Sequence, residues 1–462
     1  MKKIISFSLW GSKMMYCHGA IQNARIAKNI YPDFVCRFYV DALVPMPILL
    51  QLEDLGCEIV HMNCVGNNTG MFWRFNAVNE ADIVLIRDAD SRIGEREKKC
   101  VDEWLKSNKL FHSIHDHPFH DFTVMPGLMG FKKSDIDFNS LISSFSGGDY
   151  YGVDYNFFKS IYEKINKDLL IHDSFLNKGQ QIPVKRSCLD FCGKVYDENE
   201  NTVEQHEDAI IKFYNSKYKS VFIYHHMGLG DHIDCNALVR SYLKKYEKVF
   251  LFAKKKYSNM IDYMYRDEQN ITIIPIDSSK YDDNYKKEYQ TISDFVLRNN
   301  ISNFIKIGHE NYPWGNEKTL QKGCAELFYE QISLDPQSRF TNFYFLRDLE
   351  QEERVYLKLN PNNEPYIFVH DDDTRGYSIA DEKIFNICGK EIKIIRNDLS
   401  ENIFHFFKIL ENAEQIHLME SSFKSLVEIL NMKKECFFHN FRKEAASSYL
   451  GNTKQKWKEI KC

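Results

Sequence analysis

No stretch of this 462-residue chain approaches the roughly 20 consecutive apolar residues that a membrane-spanning helix requires, so no transmembrane segment is expected. The opening MKKIISFSLWGS has an apolar run that stops at Trp10, too early for a secretory core, and no small-residue cleavage site follows. It reads as the first strand of a fold. Surplus positive charge is missing too. Lys plus Arg number 60 against 65 Asp plus Glu, a formal charge of −5, and a nucleic-acid partner is not expected without a clustered basic surface. The 12 cysteines contain no C-x-x-C pair and no Cys/His array with zinc spacing; Cys188 and Cys192 stand four apart with no second pair. Reduced thiols in a cytoplasmic setting are the expectation. What is present is globular: 44% apolar and 27% charged residues, in a chain long enough for about three folding units. The 34 Phe, 26 Tyr and 5 Trp suit deep cores and sugar-stacking surfaces alike.

Strand-like and helix-like segments alternate from the start. KIISFSL, FVCRFYV, CEIVHM and ADIVLI read as strands, separated by the helical patterns GAIQNARIAKNI and ILLQLEDL. That rhythm predicts an α/β fold, a mostly parallel sheet covered on both faces, with ligands at the carboxyl ends of its strands. ENENTVEQHED reads as a solvated linker, and the boundary falls between Glu198 and Tyr218. A second series (SVFIYHH, VFLFA, ITIIPI, NFIKIG) and a third (YIFVH, EIKIIR, QIHLM, ECFF) follow, divided by LNPNNEP. The expected units are 1–205, 219–358 and 364–450, the last two forming a pair of small doubly wound lobes with a ligand cleft between them.

The strand ADIVLI runs straight into Arg87-Asp88-Ala89-Asp90. Asp88 and Asp90 are two apart, so strand geometry points both carboxylates the same way. Two hard oxygen ligands there suit Mg²⁺ or Mn²⁺ shared with substrate phosphates. The plainer alternative is a solvated strand exit with Asp90 capping the next helix. SFSLWG, IYPDFVCRFYVD, FWRF, IRDADSR with REKKCVDEWL, and HDHPFH before PGLMGFKK make the resemblance more specific. Together they resemble the GT-A glycosyltransferase domain of multidomain polysaccharide-building enzymes, such as the chlorovirus multidomain rhamnosyltransferases. By that resemblance Asp88 and Asp90 bind the metal and the donor diphosphate, Ala89 between them lines the donor site, Ser8, Trp10 and Gly11 contact the nucleotide, and Arg74 belongs to the donor site. YGVDYNFF resembles the D-Q-x-F-L segment of many such enzymes, with Tyr155 where Gln is usual, and makes Asp154 the leading catalytic carboxylate. His172, ending LLIHDSF, is positioned like the histidine that completes the metal shell in some of them. Asp116 and His117, with His115 and His120, fall on the acceptor side, and UDP-sugars are the implied donors.

In the second half, HHMGLGDHI puts Gly228 and Gly230 between a strand and a helix, where backbone could approach a ligand closely or simply turn. QIHLM runs into Glu420-Ser421-Ser422 and the helix FKSLVEIL, a metal-free cradle for a diphosphate or an ordinary N-cap. These features resemble a compact GT-B, heptosyltransferase-like layout. His370, Asp371 and Arg375 would face its cleft, with Arg375 able to pair with phosphate, and Asp231 is the candidate general base. The expected function is a bifunctional glycosyltransferase with a metal-dependent first module and a metal-independent second, acting on a glycan or glycolipid acceptor. Two alternatives stay open: a single active first module with a degenerate, acceptor-binding second half, and a glycan- or nucleotide-binding scaffold without turnover.

Overall fold

The computed structural model describes residues 1–277, 285–308, 323–372, 375–441 and 455–461. The chain divides into two compact units, Met1–Arg186 with Asp190–Phe213, and Ser187–Leu189 with Tyr214–Cys462. Among the described residues no helix is long and apolar enough to cross a membrane.

The first unit is built on a seven-stranded sheet: β1 (Lys3–Leu9), β2 (Val35–Val40), β3 (Glu58–His61), β4 (Ile83–Ile86), β5 (Phe111–His115), β6 (Met129–Lys132) and β7 (Leu169–Asp173), in the order β3-β2-β1-β4-β6-β5-β7. Only β6 runs antiparallel, to both β4 and β5. The central strands are apolar on both faces because both are covered. Ile5, Phe7, Leu9, Ile83 and Leu85 pack on one side with the helices α1 (Met14–Ile30), α2 (Met46–Asp54) and α3 (Glu95–Lys106). Ile4, Val84 and Ile86 face the other side, among Phe75, Phe138, Phe157 and Phe158 from the 3₁₀ run Asn68–Asn79 and from α4 (Phe138–Ser143) and α5 (Val153–Ile165). FWRFNAVNE, which carries no clear period, is that 3₁₀ run. Ser6 pairs with Ile86 in register, so the last residues of β1 lie beside the Asp88–Asp90 turn at one edge of the sheet.

The charged run expected to be a linker becomes helical at Glu204: α6 spans Glu204–Lys217 with Ile210 and Ile211 fully buried. Two apolar neighbours in a polar segment were enough to give the helix a face, and the division between units falls in its last turn.

The second unit carries two sheets whose neighbouring strands all run parallel. One, in the order β10-β9-β8-β11, contains β8 (Ser220–Tyr224), β9 (Lys248–Lys254), β10 (Ile271–Ile276) and β11 (Phe304–Lys306). The other, in the order β13-β12-β14-β15-β16, contains β12 (Tyr366–Val369), β13 (Lys393–Arg396), β14 (Gln415–Leu418), β15 (Glu435–Asn440) and β16 (Trp457–Lys461). Strand β16 was not anticipated: WKEIK is a polar edge strand with little apolar signal. The expected end of the third unit at residue 450 lies outside the described residues. The GLGD segment is not a loop. Helix α7 (Leu229–Asp234) already starts at Leu229 with Gly228 as its N-cap.

Candidate active site

The side chain at the centre of the first unit's site is Arg74. Its stretch is fastened to β1 by two serines on one face of the strand: the Ser6 hydroxyl donates to the Arg74 carbonyl at 2.7 Å, and the Arg74 N–H donates to Ser8 Oγ at 3.0 Å. The guanidinium is buried and forked, with Nη1 on the Asp88 carboxylate and Nη2 on Asp154 Oδ2 at 2.9 Å. Burial works against its charge, but Asp88 and Asp154 outweigh that and hold it firmly protonated. Asp154 itself sits in the first turn of α5, which follows Gly152 at φ 81°. It is buried, its Oδ1 accepts the Tyr155 N–H at 3.1 Å, and burial pushes its carboxyl up while Arg74 pulls it down.

The Asp88-Ala89-Asp90 turn is clamped from two directions that the sequence reading missed. From α1, Asn23 Nδ2 donates to the Ser91 carbonyl at 2.8 Å and its Oδ1 accepts the Ile93 N–H at 3.0 Å. Gly19 brings the same helix so close that a Cβ there would overlap the Ala89 carbonyl oxygen, and a Cβ on Gly127 would overlap the Asp88 carboxylate. A buried Asn on the Ala20, Ala24, Ala27 face of an apolar helix was the available signal. Gly19→Ala gains up to about 1 kcal/mol of helix propensity and loses about 1–3 kcal/mol to overpacking, so overpacking wins. The expected result is a lower melting temperature and weakened Mn²⁺ binding, read by thermal unfolding with and without MnCl₂.

Asp88 is 48% exposed at its side chain and Asp90 is half-buried. Burial first and the Asp88 charge second push the Asp90 carboxyl up to about 7, and nearby Tyr16 is raised to about 12 by burial and then by Asp90. Asp90 caps no helix, since α3 begins only at Glu95 after Gly94. Two adjacent carboxylates, only one of them answered by an arginine, fit a hard divalent cation, and two carboxylates leave the rest of its octahedron to water and substrate phosphates. Among the described residues no group of three or more His, Cys, Asp or Glu could hold a metal.

These groups line one cavity of about 560 Å³, together with Ser8, Trp10, Gly11 and Ala89. Gly11, at φ 70°, donates its N–H to Asp41 Oδ1 at 3.0 Å, which anchors the exit of β1. Two expected site residues are not there. Asp116 is fully buried in a knot with Arg96 (2.6 and 2.9 Å), Arg186 (2.6 Å) and the Cys192 N–H (2.9 Å). Burial alone would raise its carboxyl, but Arg186 and Arg96 hold it well below the usual range, and no oxygen is presented to the cavity. His172 is equally buried, bonded to His112 at 2.8 Å and Glu103 at 2.9 Å, on an edge strand that β5 and β6 separate from β4. Its metal role is withdrawn on that geometry. His117 and His120 do line the cavity, joined by His206, Phe119 and Phe191.

In the second unit a cavity of about 640 Å³ is lined by Gly228, Gly230, Asp231, His370, Arg375, Glu420, Ser421 and Ser422, among others. Gly230 stands where α7 meets the helix Ser422–Leu430: a Cβ would lie 3.2 Å from Ser425 Oγ and 3.5 Å from the Ser422 Cα. Ser421 is the N-cap of the helix Ser422–Leu430, its oxygen accepting the Lys424 N–H at 3.4 Å. Arg375 pairs with Asp372 at 2.7 Å, and Asp371, which does not line the cavity, pairs with Arg396. A buried chain of charges links Asp234, Arg339, Glu428 and Lys424 through contacts of 2.6–2.7 Å. Carboxylates outnumber cationic side chains by seven to four among the described lining residues. Burial, Asp234 and Glu420 raise the Asp231 carboxyl to about 7, against the pull of Lys254. A carboxyl raised on folding stabilises fully in acid and loses that contribution as pH climbs through about 7. Asp231→Asn is therefore expected to melt above the parent at pH 8 and beside it at pH 4, in a pH series of thermal scans.

A mostly parallel, doubly covered sheet with paired carboxylates at the carboxyl end of a central strand is a Rossmann-like α/β unit, an arrangement that leaves its ligand crevice at the carboxyl ends of the strands. No protein-family model and no curated protein matches the chain. Among solved structures it is similar to glucosyl-3-phosphoglycerate synthase of Mycobacterium tuberculosis in complex with phosphoglyceric acid, at 10% identity and a TM-score of 0.28 over 37% of this chain and 68% of that one. The same enzyme with Mn²⁺, UDP-glucose and glycerol 3-phosphate gives 11% and 0.27 over 37% and 69%, and with Mg²⁺ and UDP 9% and 0.27 over 37% and 68%.

Proposed function

We propose that the chain is a glycosyltransferase of GT-A type in its first unit, taking a UDP-sugar with Mn²⁺ or Mg²⁺ and passing the sugar to a glycan or glycolipid acceptor. The observation that carries this reading is the single cavity in which Asp88, Asp90, Arg74 and Asp154, up to 80 residues apart, meet the exit of β1. Asp88 and Asp90 would hold the cation, which when bound supplies positive charge against the diphosphate leaving group. Arg74 fixes the two carboxylates it bridges and adds a buried positive charge beside them. Asp154, held on that fork, is the carboxylate for the sugar or acceptor side. Trp10 offers a ring to the nucleobase beside Ser8 and Gly11.

For the second unit, two small lobes of GT-B type are compatible with its paired parallel sheets. The acid-rich cleft, with Arg339 and Lys424 already answered by Asp234 and Glu428, favours acceptor positioning over a second diphosphate site. A cytoplasmic location is part of the reading, supported by Cys100 and Cys192 sharing one small core cluster as free thiols.

Calorimetry of UDP into the full chain tests the donor site: binding is expected with Mn²⁺ and lost with EDTA. Equal affinity in both would favour a metal-indifferent scaffold. Sugar-nucleotide hydrolysis by the full chain carrying Asp90→Asn tests the second unit; metal-independent turnover in that variant would restore the bifunctional reading.

A further inference from the structure

Part of the first unit's cavity is a cage of rings. His117 lies at its centre, with ring centroids 4.9 Å from Phe119, 5.6 Å from His120, 4.5 Å from Phe191 and 5.4 Å from His206. Three separate segments build it: the turn after β5, the stretch following Asp190, and the first turn of α6. All five rings line the cavity.

The cage is held neutral by its hydrogen bonds. His117 Nε2 donates to the His206 carbonyl at 2.9 Å while its Nδ1 accepts the Phe119 N–H at 3.0 Å, which commits both nitrogens to an uncharged ring. His120 Nδ1 accepts the Asp116 N–H at 3.1 Å. Burial agrees, lowering His117 to about 4 and His120 to about 3. The cations nearby are spoken for: Arg186 and Arg96 by Asp116, Lys194 by Glu207 at 2.8 Å. The first turn of α6 carries Glu204 and Glu207, which offset its amide dipoles. Among the described lining residues the cationic side chains are Lys13 and Arg74, and Arg74 already holds two carboxylates.

A phosphate or carboxylate acceptor needs charge-assisted donors, and this part of the cavity offers rings instead. Flat faces edged by the imidazole N–H groups of His120 and His206 suit the C–H faces and hydroxyls of a sugar. Resting on the donor-site reading above, we infer that the ring cage is the acceptor seat and selects an uncharged sugar or polyol end over an acid or phosphate ester, with Phe119 and His206 as specificity-determining residues. Phe119 is 57% exposed and His206 half-buried, so their removal leaves the core intact.

Saturation-transfer NMR on the full chain, without nucleotide, tests this with the methyl glycosides of glucose, galactose, mannose and rhamnose against glycerol 3-phosphate. At least one glycoside is expected to receive saturation, and glycerol 3-phosphate to receive none. Phe119→Ala and His206→Ala are each expected to weaken that glycoside about tenfold, the loss of one good ring contact, with the Mn²⁺-dependent UDP affinity unchanged. Glycerol 3-phosphate binding in preference, no glycoside binding at all, or variants that bind the glycoside like the parent would overturn the acceptor assignment. Because the glycoside arm contains no nucleotide, a failure of UDP and Mn²⁺ to bind would be a separate result, defeating the donor site alone.

Discussion

Asp90→Asn is expected to lower Mn²⁺-dependent release of UDP from a UDP-sugar by about a thousandfold, the loss of roughly 4 kcal/mol of charge stabilisation. Asparagine keeps the volume and one oxygen but gives up the charge that lets two neighbouring carboxylates hold a hard cation. The same change removes the repulsion between Asp88 and Asp90 in a partly enclosed turn. The metal-free variant should therefore melt no lower than the parent while losing the stabilisation that MnCl₂ gives the parent. A purely structural aspartate would behave in the opposite way, with a lower melting temperature and an intact metal response. Wild-type turnover in this variant would remove the cation from the account.

The second large effect belongs to Arg74. Arg74→Met leaves Asp154 buried without its partner, and breaking a buried pair costs about 3–5 kcal/mol, or a melting shift on the order of 10 °C for a unit of this size. Arg74→Lys separates geometry from charge, because one ammonium cannot bridge Asp88 and Asp154 as the forked guanidinium does. It should recover part of the stability and little of the turnover. The double variant Arg74→Met with Asp154→Leu should regain stability without activity, since an apolar pair can replace a buried ion pair in packing terms. Measured by thermal unfolding beside UDP-release kinetics, equal stability in Arg74→Met and the parent would contradict the buried fork.

Strands β1 to β4 were legible because their signal is local, whereas β5, β6 and β16 were not anticipated. Ile83–Ile86 is apolar on both faces and runs directly into Asp88-Ala89-Asp90, so the run, the spacing and the strand exit all stand within eight residues. Arg74 was singled out from the sequence, but not its fork onto Asp154, a pairing across 80 residues that no periodicity encodes. Asp116 and His172 were misread for a related reason. Both sit at or just past the end of a strand, where an exposed ligand and a buried structural ion look alike until Arg96, Arg186, Glu103 and His112 are seen to close on them. Gly228 and Gly230 do line the second unit's cavity, but that Gly230 also stands where α7 meets the helix Ser422–Leu430 was not legible. His206 lay in a run whose charges masked a helix.

The most direct test of the paired-carboxylate site is anomalous scattering at the manganese edge from crystals grown with MnCl₂ and UDP. The account predicts one strong peak within about 2–2.5 Å of carboxylate oxygens of Asp88 and Asp90, with the diphosphate on its far side. A peak elsewhere, or none beside those two residues while UDP is bound, would contradict it.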